Sequence, residues 1–416
     1  MKFSKFADKF GTQSGISQLM HDLTDAVQPK QTRYMLGGGG PAHIPQVQQF
    51  FRDSMQKLLA GSRQFDQAVG NYDPPHGNSV FIESLATMLN QKFGWDLNSD
   101  NIALTHGSQQ AFFALFNLLA GDFSDGSRKK ILLPMAPEYI GYRDIGLNEN
   151  IFESVLPSVE ILDELFFKYH INFDEIKIHN DIGAICVSRP TNPSGNVLTD
   201  AEIIKLAQLA REKEIPLIID NAYGKPFPDI IYTDITPYWD ENCIICMSLS
   251  KLGLPGTRTG IVIGPEEVIQ QITRINAVVN LSPGGMGTAI ATELVQTGQI
   301  LSMSEKFIQP FYREKMEFAV SMARKYFTGL NAAVHVPEGT FFLWVWFKDL
   351  PISSHQLYQR LKERGVIIVP GNYFFFGLNR IHPHQNQCLR INHAQERNVV
   401  EAAFQIIADE VGKVIG

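Results

Sequence analysis

The sequence predicts an α/β fold with a mixed, mostly parallel central sheet, followed by a smaller α+β unit. Between residues 102 and 263, short apolar runs of strand length alternate with stretches of helical periodicity, the pattern of strand–helix–strand units. After residue 330, three strand-like runs are interleaved with two helical stretches. The chain has 416 residues, which is enough for two packed domains.

The composition excludes several classes of protein. Hydrophobic residues make up 44% of the chain and charged residues 19%, as in ordinary globular proteins. The net charge is −7 and no long basic run is present, so nucleic acid is not expected as a partner. The longest apolar runs, such as 341–347, are far shorter than a membrane span, and the basic N-terminus lacks the apolar segment of a secretory signal.

Cysteine and histidine usage indicates a reducing compartment and no metal centre. The four cysteines are too few for a disulfide scaffold. Cys243 and Cys246 have C-x-x-C spacing, but residues three apart in a strand face opposite ways and cannot easily share a metal. The histidines at 382, 384 and 393 also lack the spacing of a metal site. We therefore expect a cytoplasmic protein.

The first part of the chain carries two turn-rich segments. Residues 37–40 are four glycines followed by Pro41, which allows the backbone to approach a ligand closely, although a flexible linker is the alternative. Tyr72 precedes a second turn at 73–77 and an amphipathic helix around 81–89. Its side chain is either a surface aromatic or a hydroxyl directed towards a neighbour.

Five apolar runs are predicted as buried strands, at 102–104, 131–133, 184–187, 217–219 and 244–247. The best-marked helix spans 199–214, where Thr199 and Glu202 form a capping box before an apolar stripe. The link from Met247 to Ile261 is too short for a crossover helix, so this strand pair is predicted to be an antiparallel hairpin.

A long helical region at about 300–330 precedes the C-terminal unit. The elements predicted in that unit are strands at 340–347, 366–369 and 388–392 and helices at 354–364 and 396–411. We predict the domain boundary within the long helix, near residue 310. An N-terminal arm, residues 1–60, is expected to pack with the C-terminal unit.

Polar side chains follow each of the five predicted strands, where ligands bind in open α/β sheets. They are Ser108, at a helix start; Tyr139; Asn192; Asp220 with Tyr223; and Lys251 with Ser248, Ser250 and Arg258. Each has an ordinary explanation, such as a helix cap for Ser108 and Asp220 or an Asx turn for Asn192. Together they supply an anion site, a stacking ring, an amide, a buried acid and a reactive amine, which are the parts of a pyridoxal phosphate site.

Six segments carry a resemblance to a known family: HGSQQ, APEYIGY, SRPTNPSGN, IDNAYG, SLSKLGLPGTRTG and CLRIN. They resemble the motifs of the fold type I pyridoxal phosphate-dependent aminotransferases of class I/II, in that family's order over nearly the whole chain. The resemblance implies the fold type I architecture. It also implies a large domain at 61–310 that binds pyridoxal 5′-phosphate and a small C-terminal domain at 311–416.

The resemblance implies a role for each of these residues. Lys251 would form a Schiff base with the cofactor and move the substrate proton, while Asp220 would keep the pyridine nitrogen protonated. Tyr223 and Asn192 would bond the phenolic oxygen, and Tyr139 would stack on the ring. The residues implied in phosphate binding are Gly107, Ser108, Gln109, Ser248, Ser250 and Arg258.

Further residues are implied for the substrate and for a second subunit. Arg390, within the predicted strand 388–392, would bind the substrate carboxylate, because a charge in an apolar strand is costly without a partner. A structural salt bridge is the alternative. Gly39 and Asn192 would contact the same substrate. Tyr72 would reach the phosphate of a neighbouring subunit, which implies a homodimer with shared active sites.

The implied reaction is the ping-pong transfer of an amino group from an L-amino acid to a 2-oxo acid. The resemblance of segments such as DNAYGKPFP and FLWVWFKDLP to those of the family implies L-valine and pyruvate as the substrate pair, giving 3-methyl-2-oxobutanoate and L-alanine. The alternatives are an aminotransferase or lyase of the same fold that acts on 2-aminoadipate, on kynurenine, or on alanine with glutamate. A ligand-sensing regulator is a further rival, but we expect no DNA-binding domain in so short an N-terminal region.

Overall fold

The computed structural model describes residues 34–61, 63–380 and 382–416, together with residues 1–4, 6, 7 and 9. The first thirty residues of the predicted N-terminal arm lie almost entirely outside this part of the chain. The α-helices described are α1 (Pro45–Ala60), α2 (Gln64–Gly70), α3 (Ser79–Phe93), α4 (Ser108–Leu119), α5 (Asp200–Glu212), α6 (Glu266–Val279), α7 (Met286–Gln296), α8 (Gln299–Met303), α9 (Gln309–Phe327), α10 (Ser354–Glu363) and α11 (Arg397–Ile415).

The strands form one large sheet, one smaller sheet and a separate pair. They are β1 (Tyr34–Met35), β2 (Ile102–Thr105), β3 (Gly121–Asp122), β4 (Arg128–Leu133), β5 (Phe152–Ser154), β6 (Ser158–Ile161), β7 (Phe166–His170), β8 (Ile182–Ser188), β9 (Leu217–Asp220), β10 (Cys243–Ser248), β11 (Gly260–Ile263), β12 (Ala332–His335), β13 (Phe342–Phe347), β14 (Val366–Ile367), β15 (Val369–Pro370) and β16 (Cys388–Asn392).

The large sheet has eight strands and contains all five strands predicted from apolar runs. Its order is β2–β11–β10–β9–β8–β4–β3, and β5 pairs with β4. Strands β10, β9, β8 and β4 run parallel to one another, whereas β11 and β3 are antiparallel to their neighbours. Strands β8, β9 and β10 are buried along their whole length, as parallel strands covered on both faces are. The predicted mixed, mostly parallel sheet is confirmed.

The predicted hairpin between β10 and β11 is also confirmed. Met247 pairs with Ile261 and Ser248 with Gly260 in antiparallel register. A Cβ atom at Gly260 would lie 2.5 Å from the carbonyl carbon of Gly107, so only glycine permits this approach. The turn that starts α4 therefore lies directly against the start of β11.

Helix α5 begins at the predicted capping box. Thr199 Oγ1 accepts a hydrogen bond from the Glu202 backbone N–H at 3.2 Å, and Glu202 Oε2 accepts one from the Thr199 backbone N–H at 2.8 Å. The reciprocal bonds satisfy two N–H groups that the helix itself cannot pair. Residues of the apolar stripe, such as Ile203 and Leu206, are buried where α5 contacts β8 and β9.

The smaller sheet combines strands from two separate parts of the sequence. Its order is β15–β16–β13–β12–β7–β6, so β6 and β7 join strands that lie more than 150 residues later. Sequence patterns missed β6 because it has four residues, all exposed, and missed β7 because a lysine interrupts its aromatic run. The boundary predicted near residue 310 places β6 and β7 in the other unit, so this sheet does not follow that boundary. The domain limits stay a prediction.

The single strand predicted at 366–369 is wrong. Val366–Ile367 pairs in parallel with Tyr34–Met35, whereas Val369–Pro370 pairs antiparallel with β16. The chain passes from one sheet to another at Ile368, and a continuous apolar run gives no sign of such a change of partner.

The N-terminal segment packs against both parts of the molecule. Residues 34 and 35 lie against β14. Helix α1 instead buries Val47 and Phe51 in the core of the large-sheet unit, and Lys57 forms an ion pair with Glu293 of α7 at 2.6 Å. The expectation that the arm packs with the C-terminal unit is therefore wrong for α1, because its apolar face matches α7.

The helical region predicted at about 300–330 is confirmed over residues 299–327, with a π-helical turn inside it. Helix α8 ends at Met303, residues Ser304–Ile308 form the π-helical turn, and α9 begins at Gln309. Pro310 lacks the N–H that would bond the carbonyl of Lys306, and the π-helical turn accommodates this break in the ladder of hydrogen bonds.

Two further observations bear on the excluded classes of protein. In the described ranges, no helix combines the length and apolarity needed to cross a bilayer. The same residues contain no cluster of histidine, cysteine and carboxylate side chains arranged to hold a metal. All four cysteines are buried and free. The cytoplasmic location stays a prediction.

Candidate active site

A cavity of about 450 Å³ lies at the carboxyl ends of β4, β8, β9 and β10 and extends to β16 of the smaller sheet. Twelve of the predicted site residues line it: Gly39, Ser108, Gln109, Tyr139, Asn192, Asp220, Tyr223, Ser248, Ser250, Lys251, Arg258 and Arg390. The ends of parallel strands lie along one edge of the sheet, which explains why residues from separate turns converge there.

Lys251 follows β10 and extends its amine into the cavity. Its Nζ donates a hydrogen bond to the carbonyl of Gly39 at 2.7 Å and lies 5.5 Å from the centre of the Tyr223 ring. Burial and, to a smaller extent, the positive charge of Arg390 lower the pKa of Lys251 to about 8, against the opposing effect of Asp220. A larger fraction of this amine is therefore unprotonated and nucleophilic at neutral pH than for an exposed lysine.

Asp220 is the last residue of β9 and is buried. Its carboxylate accepts hydrogen bonds from the Tyr142 hydroxyl and from the Ala222 backbone N–H, the latter at 3.0 Å. Burial raises the pKa of Asp220, while the hydrogen bond from Tyr142 acts in the opposite direction. A buried carboxylate with so few partners is stabilised by a cationic group in the adjoining cavity.

Arg390 lies in the middle of β16 and is buried. Its Nη1 donates to Asn192 Oδ1 at 2.8 Å and its Nη2 to the carbonyl of Gly37 at 2.6 Å, and its Nε has no partner. Burial lowers the pKa of Arg390 to about 10. The ring of Phe342 lies 4.1 Å below the guanidinium and the ring of Phe374 lies 5.2 Å away. These neutral partners leave the positive charge available to a carboxylate ligand.

The alternative of a structural salt bridge for Arg390 is not supported. Within the described part of the chain, none of the ion pairs shorter than 4.0 Å involves this residue. By contrast, the buried guanidinium of Arg189 pairs with Asp200 at 2.5 Å. A structural arginine in this fold therefore has its own carboxylate.

The opposite end of the cavity is suited to an anion. Helix α4 begins at Ser108, so its first backbone N–H groups are unpaired within the helix. Gly107 does not line the cavity itself, and its φ of +84° suits glycine. A Cβ atom at Gly107 would overlap the guanidinium of Arg258, so the absence of a side chain lets Arg258 approach the helix start.

The glycine run forms an ordered wall of the cavity. Three successive carbonyls accept hydrogen bonds from side chains of the site: Gly37 from Arg390, Gly38 from Asn392 at 2.7 Å, and Gly39 from Lys251. An unstructured linker would leave these carbonyls to water, so the glycine run is an ordered segment here, and its close approach to a ligand stays a prediction.

Tyr72 is the predicted site residue that lies away from the cavity. Its side chain is 79% exposed, in a surface depression beside α2 and α7. The position gives it no contact with the cavity of its own chain. Its implied role requires a second subunit.

Sequence reasoning missed two residues that hold this site together. Tyr142 donates its hydroxyl to Asp220, and Glu138 accepts hydrogen bonds from Ser188 and from the backbone N–H of Tyr139. Both lie close to Tyr139 in sequence, in a segment that the sequence had already indicated because of that tyrosine. The available signal was Glu138 itself, a charged residue in an otherwise apolar stretch that proves to be buried.

A protein-family model places this arrangement among known enzymes. Residues 48–407 match the model described as aminotransferase class I and II. The chain belongs to that family. This aminotransferase is also 50% identical over 411 residues to the valine–pyruvate aminotransferase of Escherichia coli strain K12, covering 99% of this chain and 98% of the relative.

Solved structures agree with the family assignment. The valine–pyruvate aminotransferase of Salmonella typhimurium LT2 superposes on this aminotransferase with a TM-score of 0.88 at 47% identity, covering 96% of this chain and 99% of the other. The kynurenine aminotransferase of Pyrococcus horikoshii superposes with a TM-score of 0.82 at 20% identity, covering 100% and 98%. The second likeness shows the fold alone.

Proposed function

We propose that this aminotransferase transfers the amino group of L-valine to pyruvate, giving 3-methyl-2-oxobutanoate and L-alanine, with pyridoxal 5′-phosphate as its cofactor. One observation carries the proposal. Besides Lys251 and Arg258, the described cavity is lined by one further cationic side chain, the buried Arg390, and Ile140, Pro190 and Ala222 contribute apolar wall. Such a site fits a monocarboxylic amino acid with a small aliphatic side chain.

The residues present fit pyridoxal phosphate. The start of α4 with Arg258 suits its phosphate, the buried carboxylate of Asp220 suits its ring nitrogen, and the Lys251 amine suits its aldehyde carbon. Gly107, Ser108, Gln109, Ser248 and Ser250 complete the proposed phosphate site. When bound, the cofactor withdraws electrons from the substrate Cα, so that the Cα proton can leave.

The side chains of this chain would then orient the substrate and move its proton. Arg390 holds the substrate carboxylate, and Asn192, already bonded to Arg390 at 2.8 Å, fixes the guanidinium in place. The Lys251 amine would take the proton from the substrate Cα and deliver it to the aldehyde-derived carbon of the bound cofactor, on the other side of the amino nitrogen. Tyr139 and Tyr223 line the part of the cavity that would hold the cofactor ring, and Gly39 lines the part that would hold the substrate.

Both halves of the reaction can use the same groups. L-Valine and pyruvate each carry one carboxylate, which Arg390 binds, and each has an aliphatic remainder that fits the apolar wall. The two substrates therefore bind in turn, as a ping-pong exchange requires.

We also propose that the active enzyme is a homodimer in which Tyr72 serves the partner's site. Tyr72 is exposed next to other exposed apolar residues, including Val278, Val279 and Leu281. The two stretches are adjacent, because a Cβ atom at Gly285 would lie 3.2 Å from Ala68 and from Asp73. An apolar surface of this kind favours association. Light scattering should give twice the chain mass, and a monomer that is fully active would overturn the proposal.

A panel of half-reactions tests the substrate assignment. Enzyme carrying the cofactor is mixed with L-valine, L-alanine, L-leucine, L-2-aminobutyrate or L-glutamate, and loss of the cofactor's visible absorbance is followed. We expect L-valine and L-alanine to react fastest, with one equivalent of oxo acid formed and no ammonia. Faster reaction with L-glutamate would overturn the valine assignment, and ammonia release would indicate a lyase.

A further inference from the structure

Glu138 is a buried glutamate beside the cavity that the proposed reaction does not yet use. It follows β4 and is 2% exposed. Its Oε1 accepts from the Ser188 backbone N–H at 2.9 Å, and its Oε2 accepts from the Ser188 hydroxyl at 2.7 Å and the Tyr139 backbone N–H at 3.1 Å. One carboxyl group thus joins the segment after β4 to the last residue of β8.

The partners of Glu138 belong to the wall of the cavity. Ser188 pairs with Asp220 in the parallel register of β8 and β9, and both residues line the cavity. The backbone N–H of Glu138 donates to the carbonyl of Phe374 at 3.0 Å. The side chain of Glu138 therefore attaches this segment to the large sheet. The backbone of Glu138 attaches it to Phe374, whose ring lies beside the Arg390 guanidinium.

Tyr139 is held between two such attachments. On one side, Glu138 bonds its backbone N–H. On the other, Tyr142 bonds Asp220, and the Tyr139 and Tyr142 rings meet edge to face at 5.2 Å. Gly141 allows the Tyr139 ring to fold back onto its own turn, where a Cβ atom would overlap it.

We propose that Glu138 is a positioning residue for the transamination: by bonding two backbone N–H groups with its two oxygens, it fixes the Tyr139 ring relative to Asp220. The proposal rests on cofactor binding in this cavity, as proposed above, and does not depend on which amino acid is the donor. It assigns Glu138 no contact with substrate or cofactor.

The protonation of Glu138 is compatible with this role. Burial raises the pKa of Glu138 to about 8, and the charge of Asp220 contributes to the rise. The hydrogen bonds that Ser188 and Tyr139 donate to its two oxygens oppose this rise, because they stabilise the charged carboxylate.

The isosteric variant E138Q shows whether Glu138 acts through its hydrogen bonds or only by filling space. An amide has one oxygen, so glutamine in either orientation places an NH2 group against the N–H of Ser188 or of Tyr139. A backbone donor left unpaired in a buried site is costly. If Glu138 only filled space, glutamine would replace it without effect.

Glu202 provides a matched control in the same chain. It is buried, its Oε1 accepts from the Ile171 N–H at 3.0 Å, and its Oε2 accepts from the Thr199 N–H and hydroxyl, both at 2.8 Å. The pattern of two N–H groups and one hydroxyl is the same as at Glu138, but Glu202 does not line the cavity. E202Q therefore measures the loss of stability alone.

The test compares E138Q with E202Q by thermal unfolding, circular dichroism of the bound cofactor, cofactor affinity and half-reaction kinetics. We expect both variants to lose similar stability. Only E138Q should show weaker cofactor dichroism, about tenfold weaker cofactor binding and a kcat about tenfold lower, with the KM for the amino acid within about twofold. If E138Q matches E202Q in every cofactor measurement, Glu138 is structural and the proposal fails.

A double-mutant cycle tests whether Glu138 acts through Tyr139. In a Tyr139→Ala background, E138Q should change cofactor dichroism little further, and additive effects would contradict the proposal. If E138Q does not fold, Ser188→Ala should shift the same measurements in the same direction by less, and unchanged dichroism would overturn the idea. Failure of the proposed function is seen separately, as wild-type protein that does not bind the cofactor.

Discussion

The two walls of the cavity are built in different ways by the two sheets. On the large-sheet wall, the functional side chains stand at the strand ends or just after them: Asp220 is the last residue of β9, and Lys251 follows β10. On the smaller-sheet wall, Arg390 lies within a strand and reaches the cavity sideways from its face. The first wall relies on turns and a helix start, and the second on a rigid strand.

The surroundings of the charges differ accordingly. Lys251 and Asp220 influence one another's pKa, and the charge of Arg390 also lowers the pKa of Lys251. Arg390 is surrounded by aromatic rings and by carbonyl and amide oxygens, with no carboxylate. We infer that the large-sheet wall serves the cofactor and the proton, whereas the smaller-sheet wall serves the substrate carboxylate.

The largest expected effect is on the large-sheet wall, from Lys251→Ala. Removal of the amine takes away both the covalent attachment of the cofactor and the base, so turnover should fall by at least about 10⁴-fold. Single-turnover reaction with L-valine measures the loss. Lys205→Ala, on the exposed face of α5, is the control and should react normally. Transamination by Lys251→Ala at more than a small fraction of the wild-type rate would contradict the assignment.

The pH dependence of cofactor capture tests the same wall without a mutation. Because burial lowers the pKa of Lys251 from 10.5 to about 8, the free amine should be roughly 300-fold more abundant at neutral pH than in an ordinary lysine. We expect the rate at which apoprotein captures pyridoxal phosphate to rise with pH up to about 8 and then level off. A rate that still rises above pH 10 would mean that the amine is not buried.

The smaller-sheet wall is tested by Arg390→Ala. Loss of the guanidinium should raise the KM for L-valine and for pyruvate by about 100-fold each, because a charge-assisted carboxylate pair is lost. Visible absorbance of the bound cofactor should persist, unlike in Lys251→Ala. Arg390→Lys keeps the charge without the planar fork and should be intermediate. Arg274→Ala, at an exposed position of α6, is the control. Unchanged KM values would exclude Arg390 as the carboxylate site.

The smallest effect is expected for Tyr142→Phe, a substitution that again affects the large-sheet wall. The hydrogen bond from Tyr142 opposes the rise in the pKa of Asp220, so its removal should raise that pKa further. Asp220 would then lose its charge at a higher pH as the pH falls, and the acid limb of the kcat profile should move upwards, with kcat about tenfold lower. Tyr238→Phe removes a similar phenol–carboxylate bond, to Asp240 at 2.6 Å, away from the cavity. If the acid limb of the kcat profile lies at the same pH in both variants, Tyr142 does not control the protonation of Asp220.

Much of the large-sheet wall could be predicted because its signals are local. A strand such as β9 is a short apolar run, and its last residue, Asp220, necessarily lies at the carboxyl edge of the sheet. The capping box of α5 and the hairpin of β10 and β11 are local in the same sense. The division of 366–369 was missed because β14 pairs with β1, far away in sequence, and β6 was missed because all four of its residues are exposed.

Arg390 shows where local reasoning ends. Its position in an apolar strand was visible in the sequence, and its role was implied by resemblance. Nothing local predicts that Asn192 and Gly37, nearly 200 and more than 350 residues earlier, accept its hydrogen bonds. Glu138 is a second example, because its partner Ser188 is 50 residues later and belongs to a neighbouring strand.

The sequence by itself determined the fold class and the chemical groups at the strand ends, since strand length, turn residues and charge are properties of short segments. The tertiary structure decided which buried groups are paired and which are left for a ligand: Arg189 has Asp200, whereas Arg390 has only neutral partners. It also decided how Tyr139 is held, through Glu138 and Tyr142. Pairing is a property of contacts between distant residues, and burial makes those contacts strong enough to fix the site.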